Sequence, residues 1–150
     1  MQRAQPNTGT DSVFVGRLIL GRAWSALQEA YDKAVEPLGL TGRQGAVLMN
    51  CVRGEANTPA ELAAFNALDI SSMSRMLDRL EKKGLITRSR NGKDRRQVTV
   101  KATPKGRALL RKATPIAAQV AMNAWRNVTE QEKKVLHDIV YKILRNTGHI

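Results

Sequence analysis

The stretch Asp69-Ile70-Ser71-Ser72-Met73-Ser74-Arg75-Met76-Leu77-Asp78-Arg79-Leu80-Glu81-Lys82-Lys83-Gly84-Leu85-Ile86-Thr87-Arg88-Ser89-Arg90 changes its apolar period part-way, and that change decides the fold. Up to Lys83, the residues Ile70, Met73, Leu77 and Leu80 recur every three or four positions, the spacing of one helix face, and are expected in the core. Asp69 is placed to cap this helix and Gly84 to end it. From Leu85 the pattern is extended. The chain turns at Asn91-Gly92, a hairpin dipeptide, and returns as Gln97-Val98-Thr99-Val100-Lys101, where Val98, Val100 and Ala102 alternate with polar residues. A helix and a hairpin follow one another without a gap.

Charge indicates what this unit faces. Between Arg75 and Lys112 fourteen Lys or Arg stand against Asp78, Glu81 and Asp94, and this excess carries nearly all of the chain's net +12. A positive field confined to one helix and one hairpin implies a polyanionic partner, nucleic acid first. Only 4% of residues are aromatic, so a face that stacks unpaired bases is poorly supplied, and double-stranded DNA is favoured over RNA.

Composition closes off other classes. A chain of 150 residues with 42% hydrophobic content fits one domain with a real core. The single Cys51 excludes an intrachain disulfide, and the distant His137 and His149 do not complete a metal site with it, so neither metal nor cofactor is expected. Cys51 reads as a small buried hydrophobe in preference to a redox sensor. There is no apolar run of bilayer length and no cleavable leader pattern, which predicts a cytoplasmic protein without a membrane partner. No acid pair, nucleophile with base, or glycine-rich phosphate loop is present, so no enzyme is expected.

Working outward, residues 1–10 read as a flexible arm. Asp11 or Ser12 then opens a long helix with Leu20, Trp24, Leu27, Tyr31, Val35 and Leu38 at helical spacing, stopped by Pro37 and Gly39. Its apolar face exceeds what a small core needs, so part of it is expected to pair with another chain. Thr41 with Gln44, Thr58 with Glu61, and Thr129 with Glu132 are reciprocal capping signatures that start three more helices. Thr103-Pro104 starts another, in which Pro115 predicts a kink or a break.

The short helix from Pro59 and the helix from Ile70 read as a helix-turn-helix. Ser71, Ser72, Arg75 and Arg79, with Ser74 beside them, form the candidate face toward bases and phosphates; the alternative is a solvated basic surface. Around the hairpin tip, Arg90, Arg95 and Arg96, together with Arg88 and Lys93, are candidates for a narrow minor groove. Asp94 reads as the orienter of an Arg, with a plain turn aspartate as the alternative.

Leu62-Ala63, the run Ser72 to Arg88, Asp94-Arg95-Arg96 and Thr103-Pro104-Lys105-Gly106 resemble, in order and spacing, the MarR family of bacterial transcription regulators. The likeness covers nearly the whole chain after the first ten residues. It implies a mainly α fold with a small β-hairpin wing, a winged helix-turn-helix with long N- and C-terminal dimerisation helices. On this reading residues 11–150 form a single domain, with 41–101 as the DNA-binding lobe and 11–38 and 103–150 as the dimerisation helices. The resemblance further implies a homodimer on a pseudo-palindromic operator, most often repressing, with Arg96 as minor-groove probe and Asp94 as its orienter. It also implies release by a small phenolic, aromatic or anionic effector, for which Arg17, Trp24 and Arg43 are candidate ligands, with ordinary packing and solvated charge as the alternative. A non-specific architectural DNA binder without effector response is the rival reading. The sequence departs from the family pattern at Ala102, where Leu is usual, and at Asn66-Ala67, which replace an apolar residue and Gly in the inter-helix turn. The thiol near the start of the first helix in peroxide-sensing members is also absent.

Overall fold

A computed structural model describes residues 10–90 and 98–148. They form helices α1 (Thr10–Val35), α2 (Gly42–Arg53), α3 (Pro59–Phe65) and α4 (Ile70–Lys82), strands β1 (Ile86–Arg90) and β2 (Val98–Ala102), and helices α5 (Pro104–Ala124) and α6 (Glu130–Asn146). A single 3-10 turn, Glu36–Leu38, follows α1. The backbone falls into two compact units, divided between Val120 and Ala121. Helix α1 begins at Thr10, slightly before the expected Asp11 or Ser12; the rest of the arm lies outside the described residues.

In the first unit the helix starts follow the capping residues. The Thr41 hydroxyl accepts from Gln44 N while Gln44 reaches back to Thr41 N, and Thr58 and Glu61 do the same for α3. Glu61 Oε2 accepts from both Asn57 N and Thr58 N at 3.0 Å, which holds its carboxyl below the usual range. These bonds satisfy donors that the first helical turn leaves without partners. Helix α4 ends as the sequence predicts: Gly84 adopts φ +70°, and Leu85 N donates to Leu80 O at 3.0 Å.

The core joins the helices to the hairpin. Leu48, Leu62, Met73, Leu77, Leu80, Leu85, Ile86 and Val100 are buried almost completely, each contributing roughly 1.5–3 kcal/mol of transfer free energy. Strand β1 pairs antiparallel with β2, Ile86 opposite Ala102 and Arg90 opposite Val98, so that Val100 and Ala102 turn inward as their alternation requires. Val100 N also donates to Asn57 O at 2.7 Å, tying the hairpin to the segment before α3.

Thr103 and Gly106 make the joint between α4, β1 and α5. The Thr103 hydroxyl donates to Gly84 O at 2.7 Å and accepts from Gly106 N at 3.0 Å, while Thr103 N donates to Leu85 O. Gly106 lies so close to Leu85 that a Cβ there would stand 2.1 Å from the Leu85 carbonyl oxygen.

Two expectations are corrected. Ile70 is 54% exposed although its spacing matches the buried Met73, Leu77 and Leu80; it stands in the first turn of α4, beyond the reach of the core. Of the kink or break expected at Pro115, the break does not occur: helix α5 runs through it. Proline removes one hydrogen bond from the ladder, and the bonds on either side suffice to continue it.

In the second unit, the last turn of α5 leads through Asn127, at φ +62°, to α6, which is capped by Thr129 and Glu132. Val135, Leu136, Ile139 and Ile143 of α6 are exposed. His137 is exposed as well, packing its ring 4.5 Å from Tyr141. No helix among the described residues is long and apolar enough to cross a membrane.

Gly106→Ala is expected to destabilise the protein by about 1–3 kcal/mol, because the obstruction is backbone and no side chain can move aside. The urea midpoint should fall at unchanged slope; an unaltered midpoint would show that α5 shifts at no cost.

Candidate nucleic-acid interface

The polar face of α4 is presented as the sequence spacing requires. Ser71, Ser74, Arg75 and Arg79 are exposed and Ser72 is partly so. The helix start is organised by Asp69, whose carboxylate accepts from Ser72 N at 2.8 Å. The Ser72 hydroxyl and backbone N–H hold the Asp69 carboxyl below its ordinary range. Three residues further along the same face, Arg75 Nη2 donates to Ser72 Oγ at 3.3 Å, so the candidate guanidinium and hydroxyl already stand together. Exposed Ile70 adds an apolar side chain to this first turn, which period-based reading had assigned to the core.

The wing is held to α4 by Arg88. Its Nε donates to Glu81 Oε2 at 2.9 Å, its Nη2 donates to Asp78 Oδ1 at 2.7 Å and to Glu81 Oε2, and its backbone N–H donates to Glu81 Oε1 at 3.0 Å. Bonding from the Arg88 side chain is the main cause that depresses the Glu81 carboxyl, and the two acids raise the guanidinium further above its already high value. Arg88 was one of the cations expected around the hairpin tip; the structure commits it to a clamp. Sequence reading counted Asp78 and Glu81 only as charges and missed them as its partners, although their i, i+3 spacing puts both on one helix face.

Two lysines of the basic stretch are engaged inside the protein too. Lys83 Nζ donates to Gly39 O at 2.6 Å and to Gln44 Oε1 at 3.0 Å, and Lys105 Nζ donates to Lys83 O at 2.8 Å. Arg90 is exposed at the end of β1. Asp94, Arg95 and Arg96 lie outside the described residues, as does the Asn91-Gly92 turn.

Within the first unit, residues of α1, α2, α5 and the α3–α4 turn line an open cavity of about 690 Å³. Its size is that of small-molecule sites. Of the ligand candidates, Trp24 and Arg43 line it, while the Arg17 side chain is outside the described residues. Gln28, Tyr31, Asn50, Phe65 and Asn66 also line it and were not foreseen. Cys51 is buried, and burial pushes its thiol up to about 11, against thiolate chemistry. No cluster of metal-ligating side chains occurs among the described residues.

Residues 40–98, from just before α2 to the first residue of β2, match the family model described as MarR family. The multiple antibiotic resistance protein MarR of Salmonella typhimurium is 32% identical over 140 residues, covering 90% of this chain and 97% of that protein. The chain belongs to the MarR family. Among solved structures, a mutant MarR from E. coli complexed with operator DNA superposes with a TM-score of 0.79 at 30% identity, covering 92% of this chain and 99% of that one. CouR from Rhodococcus jostii RHA1, bound to p-coumaroyl-CoA, gives a TM-score of 0.73 at 26% identity, covering 83% and 88% of the two chains. The fold is the winged helix of MarR regulators, and this chain is accordingly a DNA-binding transcription regulator and not an enzyme.

The Glu81 carboxyl titrates below its unfolded value of about 4.3, so the stability it contributes is complete above that value and is lost as the pH falls through the folded one. Glu81→Gln is expected to flatten the acid limb of the stability curve. Urea midpoints taken from neutral pH down into the acid range test this, and an unchanged limb would remove the clamp from the account.

Proposed function

We propose that the protein is a cytoplasmic homodimeric repressor that binds a pseudo-palindromic operator through the Ser71, Ser72, Ser74, Arg75 and Arg79 face of α4 and is released by a small effector. The observation that carries this reading is the exposed hydroxyl and guanidinium pair, Ser72 with Arg75, in the first turns of α4. In helix-turn-helix proteins that part of the second helix approaches base edges, and Arg is suited to guanine O6 and N7. Exposed Ile70 suits the thymine methyl group in the same groove. Arg90, with Arg95, Arg96 and Asp94 in the wing, supplies the minor-groove contact, with Asp94 orienting Arg96.

Dimerisation is supported by apolar surface that a monomer exposes to water. Leu18, Ile19 and Leu20 of α1, and Val135, Leu136, Ile139 and Ile143 of α6, are each between 37% and 59% exposed. Residues 11–150 then act as one functional domain, with 11–38 and 103–150 pairing across the dimer and 41–101 reading DNA. Two lobes reading successive major grooves must sit about 34 Å apart, a spacing that these helices set. The cavity lined by Trp24 and Arg43 is the effector site, and the ligand-bound relative CouR supports an effector response. An effector that weakens operator binding must itself bind the DNA-bound form less well.

Selection of bound fragments from the protein's own genome is expected to return a pseudo-palindrome, and competition by random DNA should be weak. Equal affinity for random duplexes would convert the reading to an architectural binder. On the selected site, Arg75→Ala should cost about 1–3 kcal/mol and relax base preference, whereas an equal loss on random DNA would demote Arg75 to a phosphate contact. Ile139→Glu should shift the sedimentation coefficient from dimer toward monomer; a wild-type protein that already sediments as a monomer would overturn the dimeric reading.

A further inference from the structure

Ile70 is the large apolar side chain of α4 that the core does not take up. Met73, Leu77 and Leu80 of the same helix are fully buried and Met76 packs against them from the edge, whereas Ile70 is 54% exposed. It does not line the cavity either. A single exposed isoleucine is ordinary on a protein surface, and it is the neighbours that make this one informative.

Ser71, Ser74 and Arg75 are exposed around it, and Ser74, four residues on, shares its side of the helix. Asp69 accepts from Ser72 N at 2.8 Å, so the turn that carries Ile70 is fixed before anything binds. A β-branched side chain in a helix has nearly a single χ1 choice, and little freedom is lost when a partner covers it. The surrounding field is basic. Arg75, Arg79 and Lys82 are exposed and form no ion pair with any described residue. An apolar protein surface laid over Ile70 would bury these cations without compensation. A DNA duplex neutralises them with phosphate, and it offers one apolar group on the floor of its major groove, the methyl at C5 of thymine.

We propose that Ile70 is a specificity-determining residue that reads the C5-methyl group of a pyrimidine in the major groove. The inference rests on the DNA reading of α4 given above and adds to it the kind of base pair that lies under the first turn. Thymine carries this methyl in unmodified DNA, and 5-methylcytosine presents the same group from a C·G pair. The contact is apolar, so it discriminates by the methyl alone. It is indifferent to the oxygen or amino group at C4, which hydrogen-bonding side chains distinguish.

A genomic fragment selected by the full-length protein is made as a set of duplexes in which one thymine at a time is replaced by uracil, which pairs identically and lacks only the methyl. Anisotropy titration of the wild-type protein is expected to find a position at which uracil lowers affinity by about fourfold, the effect of one methyl group left in water. At that position Ile70→Ser should respond to uracil by less than about 1.5-fold, while Ile70→Leu, which keeps an apolar side chain, should respond by at least about twofold. A 5-methylcytosine·guanine pair placed there should bind wild type about fourfold better than cytosine·guanine, and Ile70→Ser should treat the two alike. Each response is a ratio within one protein, so a change in stability common to both duplexes cancels. If Ile70→Ser responds to uracil at every position as wild type does, the proposal is overturned, because the methyl then acts through another residue or through the stiffness of the duplex. A uracil effect without a 5-methylcytosine effect would show that the base is read at C4 and would overturn it as well. Absence of any uracil-sensitive thymine in a fragment that wild type prefers over random DNA would overturn this inference and leave the reading of α4 standing. Wild-type protein that binds all duplexes alike would overturn both.

Discussion

The contact of Gly106 with the Leu85 carbonyl is the constraint on which the DNA-binding lobe depends. It lets the start of α5 approach the end of α4 and the start of β1 as closely as backbone allows. Around that contact, Thr103 ties together Gly84, Leu85 and Gly106, and Lys83 and Lys105 take up carbonyls that the helix ends leave free. The recognition helix, the wing and the helix that leads out of the lobe are therefore positioned by one joint, and the Arg88 clamp adds a second tie between α4 and β1.

This arrangement divides the basic residues into two classes. The field counted along the sequence includes Lys83, Arg88 and Lys105, whose charged groups are hydrogen-bonded within the protein. Those directed outward from α4 are Arg75, which lies next to the Ser72 hydroxyl, and Arg79 in the last turn. The protein thus spends part of its charge on rigidity. A reading helix fixed in advance loses less entropy on binding than one that must be ordered by DNA.

The cavity shares residues with the lobe. Helix α2 supplies Asn50 and Arg43 to the cavity wall and Val47, Leu48 and Cys51 to the core. The turn between α3 and α4 supplies Asn66 to the cavity and Asp69 to the recognition helix. The two stand three residues apart in one turn.

Local chemistry was legible in the sequence wherever partners lie within a few residues. The capping pairs Thr41 with Gln44, Thr58 with Glu61 and Thr129 with Glu132, the stop at Gly84, and the alternation of Val98, Val100 and Ala102 each depend on short-range geometry, and each stands as the residues predict. The outward face of α4 was legible for the same reason, since helical period alone separates Ser71 and Arg75 from Met73 and Leu77. Tertiary structure decided what depends on distance in space. Ile70 has core spacing but no core above it; Arg88 has the composition of a DNA contact but two acids within reach. Pro115 costs α5 a single bond, and its neighbours carry the helix through. Asn50 and Asn66, sixteen positions apart, meet only because α2 and the end of α3 pack together. Periodicity states which way a side chain points, and only packing determines what it meets.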